Sequence, residues 1–111
     1  MNQHRSNIGE FEELVLLIVA IEHGEAYGVL VMNEIEKQTG RSVNISAVHA
    51  ALRRMESKGL AISKWSEASA ERGGRRKRIY TVTIGGANAL RELKEIRNRL
   101  WDRIPDIAFR F

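Results

Sequence analysis

Apolar spacing is helical up to Gly59, becomes strand-like between Leu60 and Val82, and is helical again from Thr83 to Pro105. The resulting order is three helices, two short strands around a charged loop, and one long helix. It constrains the fold more than any other feature of the chain. Residues 10–22 read as the first helix, with acids in the first turn and Phe11, Leu14, Leu17, Ile18 and Ile21 at helical spacing. Val15, Leu16 and Val19 widen its apolar surface almost all the way round, so it is expected to be buried or to touch two things at once. His23, Gly24 and Glu25 break the pattern. A second helix is expected over residues 27–39, with Val31 and Ile35 inward, Leu30 beside them, and Gly40 ending it.

The third helix lies within residues 44–60, capped by Asn44 or Ser46 and stopped at Gly59. Ile45, Val48, Leu52 and Met55 fall on one side, with Ala51 beside them. The opposite side carries Ser46, Ala47, Ala50, Arg53, Arg54 and Ser57. Small residues at the leading end let a helix approach another surface closely, and arginines a turn or two later suit a phosphate or a guanine edge. The stretch is therefore expected to be a DNA-reading helix. Ser46, Ala47 and Ala50 would form its close-approach face, and Arg53 and Arg54 its contacts. His49, at the edge of that face, either donates to a phosphate or packs against the second helix. A plain amphipathic helix with solvated arginines is the competing reading. The preceding helix, the short connector and the basic hairpin that follows favour DNA.

That hairpin joins strands expected at residues 60–66 and 78–82 through a loop over residues 67–77. Arg72, Arg75, Arg76, Lys77 and Arg78 flank Gly73 and Gly74. A charge run is usually a solvated face, but here one sign is concentrated on a glycine-hinged tip. Such a wing is expected to lie along a DNA backbone or to place an arginine in a narrow minor groove. The charge balance agrees. The net charge is +4, yet residues 1–60 hold six Lys/Arg against eight Asp/Glu, and residues 61–111 hold twelve against six. The basic excess is local, which favours a polyanion partner.

Other classes find little support. With 111 residues, 43% of them hydrophobic and no Cys, the chain reads as one ordinary globular unit without disulfides or thiolate metal sites. His4, His23 and His49 show no ligand spacing, so no metal or other cofactor is expected. The longest apolar run, residues 14–21, is too short for a bilayer and follows acids, so no membrane association is expected and the cytoplasm is the expected location. No phosphate loop, zinc-binding HExxH or nucleophile elbow appears, and acids such as Glu12 and Glu13 are expected at exposed positions, balancing helix charge. The chain is not expected to be an enzyme.

Thr83 is the expected cap of the last helix, without a capping box because Gly86 stands three residues on. Ala87, Leu90, Leu93, Ile96 or Arg97, Leu100, Trp101 and Ile104 trace one stripe up to Pro105, about 33 Å of helix at ~1.5 Å per residue. Ile107, Phe109 and Phe111 follow, too apolar to stand without a partner. The stripe exceeds what one small domain covers, so packing against a second copy is expected, through Leu14, Leu17, Leu90, Leu93, Arg97, Leu100, Trp101 and Ile104. A two-fold dimer would set two reading helices roughly 34 Å apart, one turn of DNA. Trp101 is either plain seam or, where the seam leaves a gap, a stacking surface for a flat ligand, and Trp65 is a second candidate for such stacking. The division is a winged DNA-binding part over residues 1–82 and a dimerisation helix over residues 83–111, forming one compact unit. The fold class is mainly α with a small β-hairpin: a winged helix-turn-helix plus a long C-terminal dimerisation helix.

These residues resemble the PadR-like transcriptional regulators. The carriers are Tyr27 and Gly28 opening the second helix, Thr39 and Gly40 closing it, the run Ala47-Val48-His49-Ala50-Ala51-Leu52-Arg53-Arg54-Met55-Glu56-Ser57-Lys58-Gly59-Leu60, and then Tyr80, Thr83 and Gly86 at Y-x-x-T-x-x-G spacing. The resemblance spans about residues 10–100. It implies a homodimeric repressor of a near-palindromic operator, relieved in several such families by small aromatic compounds. The family usually carries Tyr where this chain has His49, and often Pro where it has Ala50. Both departures fall on the reading helix, so no operator sequence carries over. A winged-helix module whose basic loop meets an acidic protein partner is the alternative function.

Overall fold

The computed structural model describes residues 8–67 and 76–111. In order these form α1 (Glu10–Ile21), α2 (Gly28–Thr39), α3 (Ile45–Ser57), β1 (Ala61–Trp65), β2 (Arg78–Val82), α4 (Ile84–Asp102) and a short 3₁₀ turn (Asp106–Phe109). The expected order of periods is thus the observed order of elements.

Local chemistry sets the boundaries. Asn44, not Ser46, caps α3: its Oδ1 accepts the Ala47 N–H at 2.8 Å. Gly40 closes α2 in the left-handed conformation that a β-carbon disfavours. At the end of α3, Gly59 (φ +77°) lets its own N–H bond the Glu56 carbonyl and the Leu60 N–H bond the Met55 carbonyl, so two terminal carbonyls are satisfied. Thr83 caps α4 through Oγ1, which accepts the Gly86 N–H at 3.0 Å and donates to the Gly59 carbonyl at 2.7 Å.

The core sits where α1, α2 and α3 converge under the hairpin. Val15, Leu16, Val31, Ile35, Val48, Leu52 and Met55 are fully buried there, with Tyr80 entering from β2. Two expectations for α1 need correction. Its inward arc is Val15, Leu16, Ile18 and Val19, while Leu17 and Ile21 are 41% and 68% exposed. Glu12 and Glu13 are not surface charges but are buried at 9% and 8% exposure. Glu12 precedes Leu16 by one turn and so shares its face. The cost of burying a carboxylate there is met by cations from other helices.

β1 and β2 pair antiparallel, Ala61 opposite Val82 and Trp65 opposite Arg78. Small Ala61 is the inward residue of β1; Ile62 and Trp65, which carry its apolar pattern, are 59% and 56% exposed. The break after α1 holds an element the apolar spacing does not show. Ala26 bridges to Tyr80, whose N–H donates to the Ala26 carbonyl at 2.8 Å, and this ties the start of α2 to the wing.

α4 leaves this core. Gly86 and Ala89 are its buried residues, and from Glu95 to Arg103 every residue is exposed. Its α-helical part ends at Asp102, three residues before Pro105. The last turn tightens, with Arg103 and Ile104 donating to Leu100 and Trp101 three residues back. Beyond Pro105 the 3₁₀ turn brings Phe109 edge-on to Trp101, ring centroids 6.2 Å apart.

Candidate nucleic-acid interface

Val48, Ala51, Leu52 and Met55 fix α3 in the core, and that fixes which of its residues look outward. Ser46, Ala47, His49, Arg53 and Arg54 are exposed and Ala50 is half-buried. The small leading end therefore stands clear, as its residue types suggest.

The two arginines part company. Arg54 turns toward α1, where its Nε donates to Glu12 Oε2 at 2.5 Å. Lys58 donates to the other Glu12 oxygen at 3.1 Å, and the Gly9 N–H adds a third bond at 3.3 Å. Burial raises the Glu12 pKa, but the bonds from Arg54, Lys58 and Gly9 outweigh it, so the carboxyl titrates below its ordinary 4.5. The buried carboxylate thus clamps the second half of α3 to α1. Arg53 makes no ion pair among the described residues.

His49 lies over the first turn of α2. A β-carbon on Gly28 would fall 2.2 Å from its Nε2, so the ring lies directly against the glycine in the space a larger residue's side chain would take. Packing against α2, one of the two roles open to His49 in the sequence, is what the structure has. The ring still faces solvent on its other side.

The wing is built from its root. The Ser66 N–H donates to the Lys77 carbonyl at 2.7 Å, and the Lys77 N–H donates to Ser66 Oγ at 2.9 Å. Arg78 lies 5.1 Å over its cross-strand partner Trp65, and its Nε donates to Ser63 Oγ at 2.8 Å. The Ser63 hydroxyl donates in turn to the Glu56 carboxylate at 2.9 Å, and the Ser63 N–H does so at 3.2 Å. Lys77 Nζ stands 3.9 Å above the Tyr27 ring. A groove of about 310 Å³ opens between α2, α3 and this root, lined by Tyr27, His49, Arg53, Trp65, Lys77 and Arg78 among others. Arg76 is exposed beside it. Arg72 and Arg75 lie outside the described residues. Tyr27 and Trp65 stand outside the DNA-facing set expected from the sequence, where Trp65, like Trp101, is a candidate only for stacking on a flat ligand. Their signal was the Tyr-Gly pair before α2 and an aromatic residue facing a cation across a hairpin.

On the far side, α4 meets α1. Arg97 donates to both Glu13 oxygens, at 2.7 and 2.5 Å, and the carboxylate raises the guanidinium pKa above its usual value. Of the alternatives Ile96 and Arg97, Arg97 is therefore the one in the α1–α4 seam. Leu14, Leu90, Leu93 and Ile104 are half-buried. Leu17, Leu100 and Trp101 are 41%, 59% and 64% exposed. Leu17, Leu90, Arg97 and Trp101 line a second groove, of about 470 Å³.

A helix presented by its buried face, backed by a second helix and flanked by a two-stranded wing with a cationic root, defines a winged helix-turn-helix protein. Residues 15–92 match the model of the transcriptional regulator PadR-like family, and the chain belongs to that family. Its members are transcriptional regulators, not enzymes. Solved structures agree. The chain is similar to a PadR family transcription regulator from Clostridium difficile, 27% identical over 86% of this chain and 93% of that one, with a TM-score of 0.68. It shares its fold with a PadR-like regulator from Bacillus cereus (20% identity, 91% and 93% covered, TM-score 0.72) and with Bacillus subtilis PadR in complex with operator DNA (17% identity, 76% and 46% covered, TM-score 0.64). No curated protein matches the chain. No helix of the described residues is long and apolar enough to cross a membrane.

Proposed function

We propose that this regulator is a homodimeric repressor that binds a near-palindromic operator. The observation that carries the reading is the outward face of α3, where Ser46, Ala47, Ala50 and Arg53 adjoin the cationic wing root. Ser46, Ala47 and Ala50 fit the major groove. Arg53, Arg76 and Lys77 take backbone phosphates together with Arg72 and Arg75 of the wing. Arg54, clamped by Glu12, reaches DNA only from the edge of this face and mainly sets the tilt of the helix. The winged part, residues 1–82, reads DNA, and residues 83–111 join two copies.

The dimer follows from what α4 leaves uncovered. Leu100, Trp101, Phe109 and Phe111 are all more than half exposed, and each apolar side chain of that size gains about 1.5–3 kcal/mol when removed from water. A second copy packed through α4 and Leu17 of α1 covers them. A small aromatic effector stacks on Trp101 in the seam, where it alters the angle between the two reading heads.

A mobility-shift assay with the DNA upstream of its own gene, at two salt concentrations, tests the reading. Retention of that duplex over a scrambled one at physiological salt is expected. Equal retention of both, or none, overturns it. Sedimentation at micromolar concentration is expected to give a dimer, and a 12.6 kDa species contradicts that.

A further inference from the structure

The reading face of α3 ends on an acid. Glu56 follows Arg53 by one turn, on the side that carries Ser46, Ala50 and Arg53, and a free carboxylate there would repel a polyanion. The structure directs it elsewhere. Its carboxylate accepts the Ser63 N–H at 3.2 Å and the Ser63 hydroxyl at 2.9 Å. Ser63 stands at the middle of β1, and its Oγ accepts from Arg78 Nε at 2.8 Å, diagonally across the hairpin. One line of bonds therefore runs from the reading helix through both strands of the wing. The hairpin has only two strands of five residues, too little to hold a fixed attitude in water by itself. Ala61 and Tyr80 seat it on the core, and Glu56 ties it to the reading helix.

We propose that Glu56 is a positioning residue for sequence discrimination: through Ser63 it locks the wing to α3, so that base edges and backbone phosphates are met in one relative register. The inference rests on the DNA-binding reading above, and Glu56 itself touches no DNA. Phosphate contacts are the same for every duplex, and base contacts are not. On a wing free to swing, the cations would follow the backbone of any duplex, whatever α3 met in the groove. On a locked wing they reach their phosphates only where α3 is fully seated, so a wrong sequence forfeits both sets of contacts together. The tie therefore acts on the ratio of specific to non-specific binding more than on affinity for DNA as such. Its ordering cost is met in the free protein, before any duplex arrives.

The test is fluorescence anisotropy with the upstream duplex and a scrambled one, at fixed pH and ionic strength. The natural protein is compared with Glu56→Ala, Ser63→Ala and Glu56→Gln. Glu56 Oε2 alone lies 3.2 Å from the Ser63 nitrogen and 3.0 Å from its hydroxyl, so Glu56→Gln keeps an acceptor for both. Glu56→Ala and Glu56→Gln remove the same charge, so a difference between them is not one of net charge. The two Ala variants are expected to lose about tenfold or more of the preference for the upstream duplex, the scale of one charge-assisted hydrogen bond. Their affinity for the scrambled duplex is expected to hold or, for Glu56→Ala, to rise as an acid leaves the face. That retained binding also reports a folded protein. Glu56→Gln is expected to keep the natural preference to within about threefold. An unchanged preference in both Ala variants, an equal loss on both duplexes, or a Glu56→Gln that behaves like Glu56→Ala overturns the positioning role and leaves the DNA-binding reading intact. A natural protein without preference for the upstream duplex overturns the two together.

Discussion

Replacing Gly86 with Ala sets two effects of opposite sign against each other, and the structure decides between them. Helix propensity alone favours Ala over Gly by about 0.5–1 kcal/mol inside a helix. A β-carbon at Gly86, however, would stand 2.1 Å from the Leu60 carbonyl oxygen and 2.8 Å from Val82 Cγ1. Ordinary contact is about 3.5 Å, so the start of α4 must retreat by more than about 1 Å. That retreat loosens the Thr83 N–H bond to the Leu60 carbonyl at 3.1 Å and the Thr83 hydroxyl bond to the Gly59 carbonyl at 2.7 Å. Overpacking costs about 1–3 kcal/mol and each weakened bond up to about 1 more. The net expectation is a loss of about 2–3 kcal/mol, which lowers the urea midpoint by about 1–2 M at a slope typical of a small domain. Gly85 is the control. Its β-carbon would meet the Gly59 carbonyl at 3.2 Å, which a small adjustment relieves, so Gly85→Ala is expected to stay within about 1 kcal/mol of the natural protein. Both variants are compared at one protein concentration, because the proposed self-association would shift apparent stability. An unchanged or raised midpoint for Gly86→Ala refutes the reasoning, since propensity would then have outweighed the close approach.

Glu12→Gln is expected to lose about 1–2 kcal/mol at pH 7, a figure discounted because Arg54 is half exposed and Lys58 about a third. Since the Glu12 carboxyl titrates below 4.5, its contribution is complete above that pH and fades as pH falls through the lower folded value. Urea titrations at pH 7 and pH 3 should therefore show the gap to Glu12→Gln closing in acid, and an equal gap at both would refute the clamp. Leu100→Glu places a charge in the proposed dimer seam and is expected to weaken self-association by at least about a hundredfold in sedimentation. The paired change Arg75→Ala with Arg76→Ala is expected to weaken binding to all duplexes. It should also lower the salt slope by roughly 0.9 for each phosphate no longer neutralised, and an unchanged slope speaks against the wing.

Period and punctuation were legible in the sequence; the destinations of charged side chains were not. Helix α3 could be read to within a residue or two because Asn44 and Gly59 bracket an unbroken stripe from Ile45 to Met55. The Tyr80, Thr83 and Gly86 spacing was visible as a pattern, and the structure supplies its physics: a buried ring, a cap bonded back to Gly59, and a helix start pressed against Leu60. The burial of Glu12 and Glu13 was not legible, because helical spacing alone does not say that residues 42 and 84 positions away arrive to neutralise them. The same long-range pairing separates Arg54 from Arg53, which look alike in sequence. Ile62 and Trp65 look like core by composition, yet the inward position of β1 belongs to Ala61 because α3 lies close against the strand.

Selecting fragments of the source genome retained by the protein at physiological salt, and sequencing them, tests the central claim most directly. The account predicts enrichment of one inverted-repeat motif whose half-sites lie about ten base pairs apart, centre to centre, as two α3 helices on a two-fold axis require. Retained fragments that share no motif, or a motif without two-fold symmetry, would contradict it.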